Sequence, residues 1–347
     1  MAKPTLNDVA SAAGVSRATA SRALSGYGRI SPITVSAVKA AAEKIGYQPN
    51  AIAQSMRAGK TRTIGLVIIT DFTNVFFNRA TKGIVDTARA MGYQVLIFNT
   101  NEDVVLEREA IITLTQKRVD GLIVVPSTAE GHEHLISLTK SRTPLVIIDR
   151  VLPGVKATSI TTDDASSCEA AVDSAVALGH RHLAFLVATP TVSGYQSDVP
   201  QLLNSAIESR VKGFLAGTQK QKKIRADWIF CDESPETALE AAAKLCDSPM
   251  RPSVIFTSNN DMAQAVLKVV AERDLIIGKD ISLVTVDDST WLEAIYPGIT
   301  VIQRPVDELA QLAVTKLVAQ METSSKRVET ILLPTKLVTR GSIADLS

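Results

Sequence analysis

From residue 63 onward, short apolar runs alternate with longer amphipathic stretches, and this alternation constrains the fold more than any other feature of the chain. Strand-like runs occur at Ile64–Thr70, Gln94–Asn99, Gly121–Pro126, Leu145–Asp149, Leu183–Val187, Ser253–Thr257 and Ser282–Asp287. Helical stretches at 78–91, 105–117, 165–178, 236–246 and 261–273 lie between most of them, and Gly92 and Gly179 each stop a helix just before a strand. Strands apolar on both faces must be covered on both faces, which calls for parallel sheets flanked by helices. This body of about 285 residues (63–347) exceeds what one core usually holds, so two such sheets are expected. Ligands of open α/β sheets bind beyond the carboxyl ends of the strands. The polar residues at those ends are Asp149 and Asp287, with Asn260 just after another strand.

The first 62 residues differ in charge and in periodicity. They carry nine basic and two acidic side chains, a net charge of +7 against −6 for the remainder, which the whole-chain sum of +1 conceals. A basic head on a mildly acidic body points to a polyanion partner. Leu6, Val9, Ala10 and Ala13 recur at helical spacing, Gly14 breaks the pattern, Val15 plugs the turn and Ser16 is a good N-cap. Ala20, Ala23 and Leu24 give the second helix its buried side, with Arg17, Ala18, Ser21 and Arg22 on or near its exposed side. A third helix fits residues 32–45, with Val35, Val38, Ala42 and Ile45 inward and Gly46 as its stop. Two short helices around a glycine turn make a helix-turn-helix, whose second helix has the width of the DNA major groove. Charge alone reads equally well as a three-helix bundle with a solvated basic face.

Composition and motifs exclude several classes. A hydrophobic content of 46% with mixed charges argues against disorder. No apolar run approaches the roughly 20 residues of a membrane span, and the opening MAKPTLNDVA lacks the apolar core of a signal peptide. A soluble cytoplasmic protein is expected. Cys168, Cys231 and Cys246, odd in number and without CxxC spacing, read as packing residues. No GxxxxGK[ST], GxSxG or HExxH motif occurs, and His132-Glu133-His134 and His180-Arg181-His182 lack the spacing of a helical metal pair. These histidines are expected to be exposed. No catalytic residue, cofactor or metal is expected, and a sugar-acting enzyme or a periplasmic sugar receptor stands as the competing class.

The pattern T-L-x-D-V-A-x-x-A-G-V-S-x-x-T-x-S-R, from Thr5 to Arg22, resembles the DNA-binding head of the lactose-repressor (LacI/GalR) family. The resemblance implies a transcriptional regulator, with Arg17 and Ala18 as the main base readers and Arg22 as a third. An arginine can hold guanine O6 and N7 through two hydrogen bonds, whereas alanine offers only apolar contact. Thr5, Ser16, Thr19, Ser21 and Arg29 complete the DNA-binding set, the hydroxyls of Ser16, Thr19 and Ser21 being suited to phosphates. Residues 46–60 (GYQPNAIAQSMRAGK) offer Asn50 as cap of a two-turn helix too short to be stable alone. On its residues this is a flexible linker. By the resemblance it is a hinge helix that enters the minor groove, with Asn50, Ala51, Ala53, Met56 and Arg57 at the DNA. Met56 stands where the family usually has Leu, and an unbranched apolar side chain can still wedge between base steps.

The body resembles the periplasmic sugar-binding fold of the same family's effector domain. It implies two Rossmann-like subdomains (periplasmic-binding-protein type I fold) joined to an all-α helix-turn-helix head. The expected division is a head at 1–48, a hinge at 49–60, a first subdomain of 61–161 and 291–324, and a second of 162–290 and 325–347. The helix Asp307–Met321 returns to the first subdomain and the strand Thr330–Leu333 to the second. DFTNVFF (71–77, with Val75 for the usual Pro), IIDR (147–150), SRVKGF (209–214), SNNDMA (258–263), VTVDDS (284–289) and TVIQRP (300–305) match the family's ligand loops. Carried over, the cleft holds Asn74, Phe76, Phe77, Asp149, Arg150, Arg210, Asn260, Asp287 and Gln303, as in ribose-type binding proteins. Asp and Arg share neighbouring hydroxyls, while Phe covers a C–H face. Glu233 stands where an aromatic or apolar residue is usual. The long stretch Thr189–Asn204 reads either as a lid or as a disordered excursion. The implied function is a repressor whose operator affinity is controlled by its effector. The implied partners are a near-palindromic DNA operator, a neutral sugar or related polyol (with a cyclitol, nucleoside or phosphoprotein co-effector as the alternative), and a second copy of the chain, with no membrane.

Overall fold

The computed structural model describes residues 4–25, 28–47, 60–69, 74–128, 130–141, 143–189, 194–195, 204–232, 234–323 and 327–347. The chain divides into a unit Met1–Arg62 and a unit Thr63–Ser347.

In the first unit, helices α1 (Leu6–Ala12), α2 (Arg17–Ser25) and α3 (Pro32–Lys44) enclose a small core of Val9, Ala10, Ala20, Ala23, Val38 and Ala42. Leu6, Val15, Leu24, Val35 and Ile45 close it from the sides. Gly14, at φ +64°, takes the left-handed conformation that ends α1 and turns the chain into α2. Ser16 then caps α2, its Oγ accepting from the Thr19 amide at 3.1 Å. Ser31 does the same for α3 through Thr34, with Pro32 in the first turn.

The second unit holds two sheets among its described residues. The first runs in the order β12 (Thr330–Pro334), β5 (Thr158–Asp163), β4 (Leu145–Ile148), β3 (Gly121–Val124), β1 (Thr63–Ile68) and β2 (Gln94–Asn99), and its pairings are parallel. The second runs β13 (Lys336–Val338), β11 (Thr300–Gln303), β10 (Ser282–Val286), β9 (Val254–Thr257), β6 (His182–Ala188), β8 (Arg225–Cys231) and β7 (Gly194–Tyr195), with only the edge strands β7 and β13 antiparallel. The central strands are buried along nearly their whole length, which is why they read as unbroken apolar runs.

Helices α4 (Val75–Ala90), α5 (Val104–Gln116), α6 (Glu133–Lys140) and α12 (Val306–Thr323) cover the first sheet. Helices α7 (Asp164–Ala177), α8 (Ser205–Gln219), α9 (Pro235–Cys246), α10 (Asn260–Glu272) and the short α11 (Thr290–Ala294) cover the second. The three cysteines are buried and free, and burial pushes the Cys246 thiol up to about 11. Among the described residues no helix is long and apolar enough to cross a membrane.

The structure corrects three expectations. First, the crossings differ from 161, 290 and 325. Residues 291–303 stay with the second sheet, because β11 pairs with β10 (Val284↔Thr300) and Val301 and Ile302 are buried in the second subdomain's cores. The strand at 330–334 belongs to the first sheet, pairing with β5 (Ile331↔Ile160), and the chain reaches the second sheet only at β13. The passages therefore fall after Asp163, between Gln303 and Val306, and at Thr335. Second, β5 and β8 escaped the apolar-run criterion, since TSITTD is hydroxyl-rich and RADWIFC opens on charged residues. Third, the histidines are not exposed. His180 is fully buried, with Nδ1 2.8 Å from Ser253 Oγ and Nε2 3.1 Å from the Ala344 carbonyl, and His134 is largely buried against Glu107.

Candidate DNA-reading helix and ligand cleft

The helix-turn-helix presents Arg17, Ala18 and Arg22 in the open on α2, with Thr19 and Ser21 half-buried beside them. Arg17 and Ala18 occupy the first turn, the part of such a helix that meets base edges. Ser16 and Thr19 are partly committed to the fold, since their hydroxyls lie 2.9 Å apart and Ser16 caps the helix. Thr5 is likewise a capping residue, its amide and hydroxyl both donating to Asp8 at 2.7 and 2.8 Å. Those two bonds hold the Asp8 carboxyl below its usual pKa. Arg29 is exposed in the turn before α3. Asn50, Ala51, Ala53, Met56 and Arg57 lie outside the described residues, as does Glu233.

The cleft of the second unit, about 510 Å³ of open space, lies at the carboxyl ends of the strands of both sheets. Asp149 follows β4 and Asp287 follows β10, in equivalent places of the two subdomains. Both take left-handed backbone (φ +68° and +72°), and each donates its amide to the next strand, at Ile160 and Ile302. Their carboxylates meet one guanidinium. Arg304 donates Nε and Nη2 to the two oxygens of Asp287, each at 2.7 Å, and Nη1 to Asp149 at 2.8 Å. The Phe76 ring lies beneath it, 3.4 Å from guanidinium carbon to ring centroid. Burial works against this charge, but Asp287, Asp149 and Asp164 outweigh it and raise the Arg304 pKa. Arg304 sits on the passage from the second subdomain to the first, so it ties the two together.

The other two arginines are held in the same manner. Arg210 donates Nε to buried Asp164 at 2.7 Å and Nη1 to the Ser258 carbonyl at 2.9 Å. Arg150 donates Nη1 to the carbonyls of Pro126 and Ser127 (2.6 and 2.9 Å) and Nη2 to Glu102. Glu107 grips the Ser127 amide from behind at 2.5 Å and lies 2.6 Å from His134 Nε2. Arg150 and Arg210 are thus preorganised before any ligand arrives.

Of the expected cleft residues, Asn74, Phe77, Asp149, Arg150, Arg210 and Asp287 line the cavity together. Phe76, Asn260 and Gln303 do not. Phe76 is buried behind Arg304, edge-on to Phe77 with ring centroids 4.9 Å apart. Asn260 turns inward, donating to the carbonyls of Val286 and Asp287 and accepting from Ser289, while its neighbour Asn259 faces the cleft. Gln303 donates to Asp288 at 3.1 Å, and Arg304 takes the wall. Glu102, Asn204, Asn259 and Arg304 were missed. The polar cluster Thr100–Asp103 directly after β2 was the available signal for Glu102.

Two family models match the chain. Bacterial regulatory proteins of the lacI family match at residues 5–50, and the periplasmic binding protein-like domain matches at residues 172–343. The chain belongs to the LacI family. Relatives of similar length agree. Catabolite control protein A of Priestia megaterium is 28% identical over 340 residues, 97% of this chain and 98% of its own. The ribose operon repressor of Escherichia coli K12 is 26% identical over 345 residues, covering 97% and 99%. In fold, the chain resembles the Lac repressor dimer bound to operator and the anti-inducer ONPF, with a TM-score of 0.83 at 24% identity over 99% of this chain and 100% of that one. As a LacI-family member the protein is a DNA-binding transcriptional regulator, and its helix-turn-helix is the DNA-binding part.

Proposed function

We propose that the protein is a dimeric repressor whose hold on a near-palindromic operator is set by a small polyhydroxylated effector in the cleft. The observation that supports this most directly is the Arg304 bridge. One buried guanidinium links Asp149 of the first subdomain to Asp287 of the second, so a ligand between them must change how the subdomains are joined. A ligand shifts an equilibrium only through such a differential contact. Arg17 and Ala18 read bases, Arg22 assists, and residues 49–60 act as the hinge that two subunits must form together. Asn74, Phe77, Asp149, Arg150, Arg210, Asn259, Asp287 and Arg304 contact the effector. A relative named as a ribose operon repressor favours a sugar-like ligand, and release from DNA on its binding is the expected sign.

The dimer uses the open edge of the first sheet. Leu96 and Ile97 on β2 and Val105, Leu106 and Ile112 on α5 are exposed there, an apolar patch beside a strand edge that is unpaired among the described residues. The protein works by binding, without turnover of its ligand. Selection from a random duplex pool by the full chain tests this reading. A two-fold-symmetric consensus, with affinity falling steeply with salt, is expected. Recovery of no preferred sequence would refute it.

A further inference from the structure

The polar atoms of the cleft are sorted in an unequal way. Three asparagines line it, and each is the N-cap of a helix that begins there. Asn74 Oδ1 accepts from the amides of Phe76 and Phe77 on α4, Asn204 Oδ1 from Ile207 on α8, and Asn259 Oδ1 from Met262 on α10. A backbone N–H can only donate, so these bonds fix which amide atom is oxygen. Each asparagine therefore turns its Oδ1 to the helix and keeps both protons of its NH₂ to donate into the cavity. The carboxylates are committed as well. Both Asp287 oxygens and one of Asp149 receive Arg304, and one Glu102 oxygen receives Arg150.

The arginines retain donors. Arg150 Nε is buried without a partner on a side chain only 6% exposed, 3.9 Å from the remaining Asp149 oxygen, and Arg210 Nη2 has no partner among the described residues. Among the described residues, the side-chain donors left uncommitted are therefore the amides of Asn74, Asn204 and Asn259 and guanidinium edges of Arg150 and Arg210. Against them stand single oxygens of Asp149 and Glu102. A neutral polyol brings one proton to donate with every oxygen, and few acceptors here would receive those protons. An oxyanion accepts only. Three helix N-termini add their positive dipole ends to the same space.

We propose that the effector is an anionic polyol, carrying a carboxylate in addition to its hydroxyls, such as an aldonate. The carboxylate sits among the Asn74, Asn204 and Asn259 amides, Arg150 and Arg210, and the hydroxyls reach the open oxygens of Asp149 and Glu102. This inference rests on the cleft being the effector site. Arg304 is the specificity-determining residue: by engaging both Asp287 oxygens and one Asp149 oxygen it reduces the acceptors open to a neutral sugar.

Matched pairs test it by calorimetry on the full chain: D-ribose against D-ribonate, and D-glucose against D-gluconate. At least one aldonate binds ten or more times tighter than its aldose if the inference holds. Equal or tighter binding of the aldoses overturns the inference and leaves the cleft reading standing. Binding of neither member of either pair, with an unchanged melting temperature, overturns both. Asn259→Asp then locates the anion, since Asp caps α10 as well as Asn does but replaces the donor with a negative charge. It should weaken aldonate binding at least tenfold, and unchanged affinity would place the anion elsewhere and refute the site.

Discussion

Arg304→Met removes a guanidinium that joins the subdomains and preserves much of the side chain's apolar stem over Phe76. Three short charge-assisted hydrogen bonds are lost, and two aspartates with side chains under a tenth exposed are left facing each other. At ~1.5–3 kcal/mol for a hydrogen bond to a charged group, the three bonds set an upper limit near ~9 kcal/mol. Cleft water and rearrangement recover part of this, and breaking a buried pair from one side costs about 3–5 kcal/mol. The melting temperature of this unit should fall by roughly 5–10 °C. Both tryptophans, Trp228 on β8 and Trp291 on α11, lie in the second subdomain, so intrinsic fluorescence in a urea titration follows the affected part. Asp149→Asn is the control. Asn tolerates the left-handed backbone at this position, retains an acceptor for Arg304 and should cost about 1–2 kcal/mol. A loss below about 1 kcal/mol for Arg304→Met would refute the bridge.

Other consequences are equally open to measurement. Arg17→Ala should relax discrimination at one operator base pair at a cost of about 1–3 kcal/mol, and uniform weakening across sequences would contradict base reading. Burial holds the His180 imidazole below its usual pKa. The unfolded chain thus takes up a proton first as pH falls through about 6.5, so stability is full above that pH and declines below it. His180→Gln should remove that component of the pH slope, read by urea midpoints between pH 7.5 and 5.5, and an unaltered slope would assign it elsewhere. Gly213→Ala places a methyl group 2.2 Å from the Ala165 carbonyl oxygen and 2.8 Å from Cys168 Cβ, where α8 crosses α7. It should cost about 1–3 kcal/mol and loosen the Arg210–Asp164 pair (2.7 Å), and wild-type stability would show that the helices yield freely.

Most of the fold was legible because buried parallel strands and capped helices leave strong local patterns. The head was more legible still, since Gly14 and Ser16 punctuate its helices at set positions. The cleft was legible only in part, for reasons of one-residue resolution. Asn259 and Asn260 are adjacent, but one is the cap facing the cavity and the other starts the helix and turns to β10. Gln303 still pairs within the second sheet, while Arg304, one step past the strand end, swings into the cavity. A motif match locates such a pair without saying which member faces the ligand. Glu102 stands out only when the left-handed turn at Asn101 and Glu102 is seen to aim it at Arg150. The subdomain crossings were displaced because hydrophobic periodicity marks a strand without naming its neighbour. Only the pairing of β11 with β10 and of β12 with β5 decides that.

Occupancy of the cleft is expected to change the grip on DNA. Fluorescence anisotropy of the selected operator duplex, titrated with the full chain with and without saturating D-ribonate, measures that coupling directly. Isotherms at least tenfold apart are expected, with superimposable isotherms for Arg210→Ala, which lacks a guanidinium to hold the ligand. Superimposable isotherms for the wild-type chain, with the ligand shown by calorimetry to be bound, would contradict that coupling.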